Sequence, residues 1–343
     1  MTLDDARARY SDAMRDEAFS RFGVERGATD GPEELEGSAP VFKCRRGELD
    51  LALKIAPGFA PGHEQVMGST VEQVQAEVDF VLHLRGEGVS VAAPVPSAGG
   101  AFVETIDAGA GAAFFAYATE FVPGELLPDD DVTVFPKGLV PVWGRELGRL
   151  RAASETWRPV AGRRRLSWEE IDVLDPGYFA TAELRAEWER TIESVRALER
   201  DGAGCGLGHG DPHHGNFMWH EGRFTFFDFD ACHYGPYIAD LASALYNCLP
   251  LPREDVAGRR AFALGFLRDF VGGYRSARSL PPEELAALPL LLKREELGAY
   301  GYYRKYWQSE ELTERRRAVV AGYESRIARA VPVVAFEPGD LDF

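Results

Sequence analysis

The spacing of hydrophobic positions changes along the chain, and the change marks two halves. Residues 3–22 place Ala6, Tyr10, Ala13, Met14 and Ala18 close to one stripe, which predicts an amphipathic helix. VFKCR and LDLALKIA follow with strand composition. In the second of these, Leu51, Leu53 and Ile55 share one face, and Ala52, Lys54 and Ala56 share the other. A lysine alone on a small-sided face suits a cleft better than open solvent. Residues 69–86 return to helical spacing through Val71, Val74, Val78, Val81 and Leu82. VSVAAPVP, AFVETI and AFFAYATEFV read as the rest of an antiparallel sheet. Val122-Pro123-Gly124 then breaks the last strand and marks a domain boundary.

Beyond that break the pattern is mostly helical. Residues 140–153, 183–200 and 236–248 have helical apolar spacing. So do FALGFLRDFVGGY, LPLLLKREELGAYGYYRKYW and RRAVVAGYESRIARAV, while the acidic tail FEPGDLDF is expected to fray. The exception is the stretch GLGHGDPHHGNFMWHEGRFTFFDFDACHYGPYIADL. Asp211 and Asn216 stand five apart on a segment that Gly210, Pro212 and Gly215 keep irregular. FTFF reads as a strand and ends in Asp228-Phe229-Asp230. An acid and an amide on one loop, with an acid at the end of the next strand, can hold a divalent cation between oxygen atoms. That donor set suits Mg²⁺, which takes oxygen ligands and is commonly held by one or two carboxylates plus substrate phosphates.

HGDPHHGN followed by a strand and Asp-Phe resembles the aminoglycoside phosphotransferase family, which in turn resembles choline, homoserine and protein kinases. The resemblance implies an α+β, two-lobed protein-kinase-like fold. An antiparallel-sheet lobe would span 1–121, a hinge 122–124, and a mostly helical lobe 125–343. It implies transfer of the ATP γ-phosphoryl group, with GTP as the alternative donor, to a hydroxyl of a small molecule such as an antibiotic, an amino alcohol or a sugar. In that scheme Asp211 is the base, Asn216 and Asp228 hold Mg²⁺, and His209 braces the loop. Lys54 grips the phosphates and pairs with Glu77, because EVDFVLHL fits the family's E-x-x-x-L-x-x-L, with Glu72 as the fallback. Gly37 and Ser38 lie near the phosphates, although no G-x-G-x-x-G is present. Glu120, Phe121 and Val122 form the hinge whose backbone binds adenine. Asp240-Leu241 stands where the family places it, but Gly235-Pro236 lacks the intervening Asp. Arg151 stands where the family often has histidine.

Composition narrows the partners. At 343 residues, 45% hydrophobic and 27% charged, the chain can bury a large core. Its 38 basic and 55 acidic residues leave a net charge of −17, which argues against nucleic acid. The same balance fits a cationic acceptor, with Glu295, Glu296 and the cluster Tyr300, Tyr302, Tyr303, Tyr306 and Trp307 as its wall. Arg163, Arg164 and Arg165 read as a solvated basic run. Cys44, Cys205, Cys232 and Cys248 show no C-x-x-C, so free thiols in a reducing cytoplasm are expected. No signal peptide or membrane span is expected. Three alternatives compete: a protein Ser/Thr kinase of the bacterial stress type, a metal-dependent hydrolase using His209, Asp211, His213 and His214, and a non-catalytic binder. The remaining histidines show no ligand spacing, A-P-E is absent after Asp228, and the set Lys54, Asp211, Asn216 and Asp228 is intact.

Overall fold

The computed structural model describes residues 9–25, 31–35, 39–58, 70–109, 112–127, 135–200, 204–249, 255–307 and 313–343. The chain divides into two compact units. The first comprises Met1–Glu125, Thr156–Arg165 and Met218–Cys232; the second comprises Leu126–Glu155, Leu166–Phe217 and His233–Phe343. Two stretches from beyond the expected hinge at 122–124 therefore belong to the first unit.

The first unit is built on an antiparallel sheet. Helix α1 (Asp12–Phe22) begins where the Ser11 side chain accepts a hydrogen bond from the Met14 N–H, and ends at Gly23, which takes a φ of +65°. Strands β1 (Glu33–Leu35), β2 (Val41–Arg46) and β3 (Leu49–Pro57) precede helix α2 (Val71–Gly86). Strands β4 (Pro94–Val95), β5 (Val103–Gly109) and β6 (Ala112–Glu120) follow it. The sheet order is β1-β2-β3-β6-β4, with β5 also on β6. Leu51, Leu53 and Ile55 are wholly buried with Phe19, Phe22, Phe42, Ile106 and Phe114. The alternate face of β3 carries Ala56, which packs with Val74, Phe115 and Tyr117. Lys54 lies between Val41 and Tyr117 in register.

Helix α2 opens with a reciprocal cap between Thr70 and Gln73. It buries more than one stripe, because Phe80 also meets Trp157 at 5.6 Å and Phe229 at 6.2 Å between ring centroids. The long strand expected across VSVAAPVP shortens to β4, since Pro94 and Pro96 bring no backbone donor. Val91 instead bridges Phe226.

In the second unit, α3 (Leu139–Thr156) and α4 (Ala182–Arg200) precede β7 (Cys205–Leu207). Strands β8 (Phe217–His220) and β9 (Arg223–Phe226) form a hairpin; all but Phe217 of it belongs to the first unit. Then come β10 (Tyr234–Pro236), paired with β7, and α5 (Ile238–Cys248), α6 (Val256–Ala277), the short α7 (Pro282–Leu285), α8 (Leu288–Tyr306) and α9 (Glu314–Ala328). Trp143 on α3 is fully buried against Phe217, Phe266 and Phe270. The acidic tail is docked rather than frayed: Asp340 takes two bonds of 2.8 Å from Arg260, and Arg275 donates to the Phe343 carbonyl.

Helices α3 and α6 touch backbone to backbone. A Cβ on Gly144 would lie 2.0 Å from the Phe270 carbonyl oxygen, and one on Gly273 would lie 1.9 Å from that of Pro141. Gly144→Ala should therefore lower unfolding free energy by about 1–3 kcal/mol or more. Gly265→Ala, in open space on the same α6, should raise it by up to about 1 kcal/mol. Urea midpoints of the two variants check this, and equal midpoints would remove the close contact as the reason for glycine at 144.

Candidate active site

The first unit supplies a cation held by two carboxylates. Lys54 extends from the middle of β3 with its side chain 12% exposed, and its Nζ lies 2.8 Å from Asp228 Oδ1 and 2.7 Å from Asp230 Oδ2. Burial works against its charge, but Asp228 and Asp230 outweigh that and hold the ammonium well above its ordinary pKa. Burial and the neighbouring Asp228 push the Asp230 carboxyl up, and Lys54 opposes them. Asp228 takes a φ of +60°, unusual for a residue with a side chain.

Glu77 was expected to pair with Lys54, and the structure corrects this. Its partner is Arg165, with Nη1 3.6 Å from Oε2, because Asp228 and Asp230 already occupy the lysine. Burial lifts the Glu77 carboxyl to about 7, against the pull of Arg165. The same residue overturns the solvated basic run: Arg165 is buried, and Arg163 makes two bonds of 2.9 and 2.7 Å to Asp79. Nothing in the local composition of RRR distinguishes the buried arginine from its neighbours. At the expected hinge, the Glu120 N–H donates to Ala93 and the Phe121 N–H to Asp50. Among the described residues, the Val122 N–H has no protein acceptor. Gly37 and Ser38 lie outside the described residues.

The second unit supplies a carboxylate held from several sides. Asp211 meets His213 Nε2 at 3.4 Å through Oδ2 and accepts from Ser243 Oγ at 3.5 Å through Oδ1. The Gly215 N–H donates to His213 Nδ1 at 2.9 Å, which leaves the proton of a neutral ring on the nitrogen facing Asp211. Burial raises the Asp211 carboxyl, but His213 and His209 outweigh it and the net shift is downward. Asn216 donates from Nδ2 to the Asp211 carbonyl at 2.9 Å and to Oδ2 at 3.3 Å. Its amide nitrogen is thus used, and among the described residues its Oδ1 has no donor.

The loop itself is pinned by Asp240. Its two oxygens accept from the N–H groups of His209 at 2.8 Å and Gly210 at 2.9 Å. A side chain at 208 would block this, since a Cβ there would lie 2.8 Å from Asp240 Oδ2. Burial pushes the Asp240 carboxyl up to about 6, against those two backbone bonds.

Two expectations for the site fail on packing. The histidine string does not converge on a metal: His209 is fully buried, and the His214 ring lies against Phe135 and Cys248 Sγ. Among the described residues no three His, Cys, Asp or Glu side chains are grouped to hold an ion. Part of the expected aromatic wall is helix packing, while Tyr302 is exposed. Tyr300 is fully buried and donates to Glu324, and the Tyr303 ring packs at a tilt against Trp307 and Tyr323. Glu296 is buried between Lys293 at 2.8 Å and Arg326 at 3.0 Å. Glu295 differs. Burial raises its carboxyl, Arg294 at 2.7 Å opposes this, and Asp211 and Asp240 add to the rise.

A lysine on a sheet strand, an aspartate after a later strand and a hydrogen-bonded aspartate on a glycine-rich loop are residue types that kinase-like phosphotransferases use. The chain matches the family described as "Phosphotransferase enzyme family" over residues 38–280, and it belongs to that family. It is 26% identical over 325 residues to the amicoumacin kinase of Bacillus subtilis (strain 168), covering 94% of this chain and 93% of that one. An amicoumacin kinase solved in complex with AMP-PNP, Ca²⁺ and Ami superposes with a TM-score of 0.85 at 25% identity over 98% of each chain. A microcompartment-associated aminopropanol kinase shares the fold, with a TM-score of 0.71 at 21% identity over 93% of this chain and 95% of that one. The fold is the α+β kinase-like one, and the family's class is phosphotransferase. Family membership sets the hydrolase alternative aside. No helix among the described residues is long and apolar enough to cross a membrane.

The raised Asp240 carboxyl gives a pH test. Its proton is bound more tightly in the folded state than at the ordinary 3.8, so this group's contribution to stability falls as pH rises from about 4 to about 6. Activity should move the other way, since the ionised form accepts both backbone N–H groups. We expect kcat to drop as pH falls through 6. We also expect the melting temperature of the parent, relative to Asp240→Asn, to decline across that window. A flat difference between pH 4 and 6 would count against the assignment.

Proposed function

We propose that the protein moves the γ-phosphoryl group of ATP to a hydroxyl of an amine-bearing small molecule of the kind an amicoumacin kinase accepts. The observation that carries this is the likeness to amicoumacin kinase along nearly the whole of both chains. It favours a small-molecule acceptor over a protein one. Asp211 accepts or orients the acceptor's proton, and its lowered pKa keeps it ionised for that task. Asn216 Oδ1 and the Asp228 carboxylate are oxygen donors of the type Mg²⁺ selects, and they fit the divalent cation such a reaction uses. When bound, that ion neutralises charge developing on the phosphate oxygens. Lys54 holds the phosphates, with Gly37 and Ser38 beside them, and the backbone at Glu120 and Val122 receives the adenine. GTP is the alternative donor. A cytoplasmic location and a part in antibiotic resistance complete the proposal.

Glu295 favours a cationic acceptor. A carboxylate whose ionisation is opposed by Asp211 and Asp240 gains from a cation more than an isolated one does. Arg294 satisfies part of that demand.

Two measurements test the proposal. ADP release should rise when amicoumacin is added to the enzyme with Mg²⁺ and ATP, in a panel that also holds aminopropanol and spectinomycin. Asp211→Asn should lower kcat by about 10²- to 10⁴-fold. If no member of the panel stimulates ADP release and a protein substrate becomes labelled, the small-molecule reading is wrong. Separately, Glu295→Gln should raise the acceptor KM more than it lowers kcat, and added salt should raise the parent's KM. A KM indifferent to both points to a neutral acceptor.

A further inference from the structure

One buried guanidinium does more than neutralise a glutamate. Arg165 donates from Nε to the Cys232 carbonyl at 2.8 Å, from Nη1 to the Gln73 carbonyl at 3.2 Å, and from Nη2 to the Asp230 carbonyl. Its Nη1 also lies 3.6 Å from the Glu77 carboxylate. Gln73 and Glu77 stand one turn apart on α2. Asp230 and Cys232 close the segment that carries Asp228. The arginine therefore ties that segment to α2, and it does so through carbonyls of the main chain.

The segment needs such a tie. Asp228 sits at a φ of +60°, a left-handed conformation that aspartate tolerates better than most residues but that its surroundings must still hold in place. Phe229 packs against Phe80, and the Cys232 N–H closes a turn to the Phe229 carbonyl at 2.9 Å. Lys54 adds the only bonds to the Asp228 and Asp230 side chains recorded among the described residues. Under the proposed function, Lys54 also serves the nucleotide phosphates. When it does, its hold on the two carboxylates weakens, and Arg165 is the cation that remains on the segment.

We propose that Arg165 is a positioning residue for phosphoryl transfer. It fixes the Asp228–Asp230 segment against α2, so the Asp228 carboxylate stays placed when Lys54 turns to the phosphates. This rests on the proposed role of Asp228 as a ligand of the divalent cation. A lysine at 165 could match the charge of Glu77, but its single ammonium lacks the planar fork that reaches three carbonyls at once.

The test separates charge from placement. Binding of AMP-PNP is titrated calorimetrically over a range of Mg²⁺ concentrations in the parent and in Arg165→Lys, with thermal melting of both proteins free of nucleotide. Partners that orient a ligand typically cost 10- to 100-fold in metal affinity when removed, so Arg165→Lys should need about 10- to 100-fold more Mg²⁺ for half-maximal binding. Its melting temperature should stay near the parent's, and kcat should fall further than the KM for the acceptor rises. If Arg165→Lys does not fold, Arg165→Met/Glu77→Gln removes both buried charges and should show the same Mg²⁺ shift. A folded variant that matches the parent's Mg²⁺ dependence overturns the proposal alone. A parent whose AMP-PNP binding ignores Mg²⁺ overturns the metal role of Asp228 and this proposal with it.

Discussion

The first unit depends on keeping buried charges matched. Two cations, Lys54 and Arg165, and three carboxylates, Glu77, Asp228 and Asp230, are drawn from β3, α2, the 156–165 stretch and the segment after β9. An unpaired buried charge costs several kcal/mol, so Lys54, Arg165 and Glu77 must each have a partner, whereas the Asp228 side chain, 38% exposed, and that of Asp230, 28% exposed, also reach water. The observed pairing divides the labour. Lys54 takes the side chains of the aspartates, while Arg165 takes Glu77 and the main chain around Asp230. The sheet is thereby tied to aspartates that arrive 174 and 176 positions later in the sequence, and α2 to an arginine 92 positions beyond Gln73.

The second unit meets the opposite demand, holding one carboxylate ready rather than quenched. Asp211 is contacted by an imidazole, a hydroxyl and an amide, none carrying a fixed charge. Asp240 turns its own charge inward to the loop's N–H groups, so it stiffens the backbone leading into Asp211. The glycine at 208 permits that approach. Positioning of this kind is the main contribution a protein makes to phosphoryl transfer through a loose transition state.

Much of this was legible because the relevant signals are local. The alternation of LALKI places Leu51, Leu53 and Ile55 in the core with Lys54 on the other face, as found. The spacing of Asp211 and Asn216 gives a loop, and their hydrogen bonds to each other follow from that short separation. What sequence could not supply is pairing across long separations. Glu77 sits one helix from Lys54 and matched a family pattern, yet its partner comes from an RRR run 88 residues away that carries no periodic signal. Tyr300 and Glu296 likewise had the composition of a binding wall. Only Glu324 and Arg326 on α9, together with Lys293 one turn away on α8 itself, show that both are consumed in packing. Glu295, one residue away, differs because helical geometry turns it about 100° from Glu296.

The left-handed backbone at Asp228 also bears on how any substitution there is to be interpreted. Alanine would remove the carboxylate and at the same time place a residue poorly suited to positive φ in a turn that Lys54 and Arg165 both grip. Its phenotype would mix a lost carboxylate with a displaced loop. Asparagine tolerates that conformation far better and keeps the shape of the side chain while discarding its charge. The pair of replacements thus forms an internal calibration at one position: the part of any defect shared by both reports on charge, and the excess seen with alanine reports on the shape of the chain.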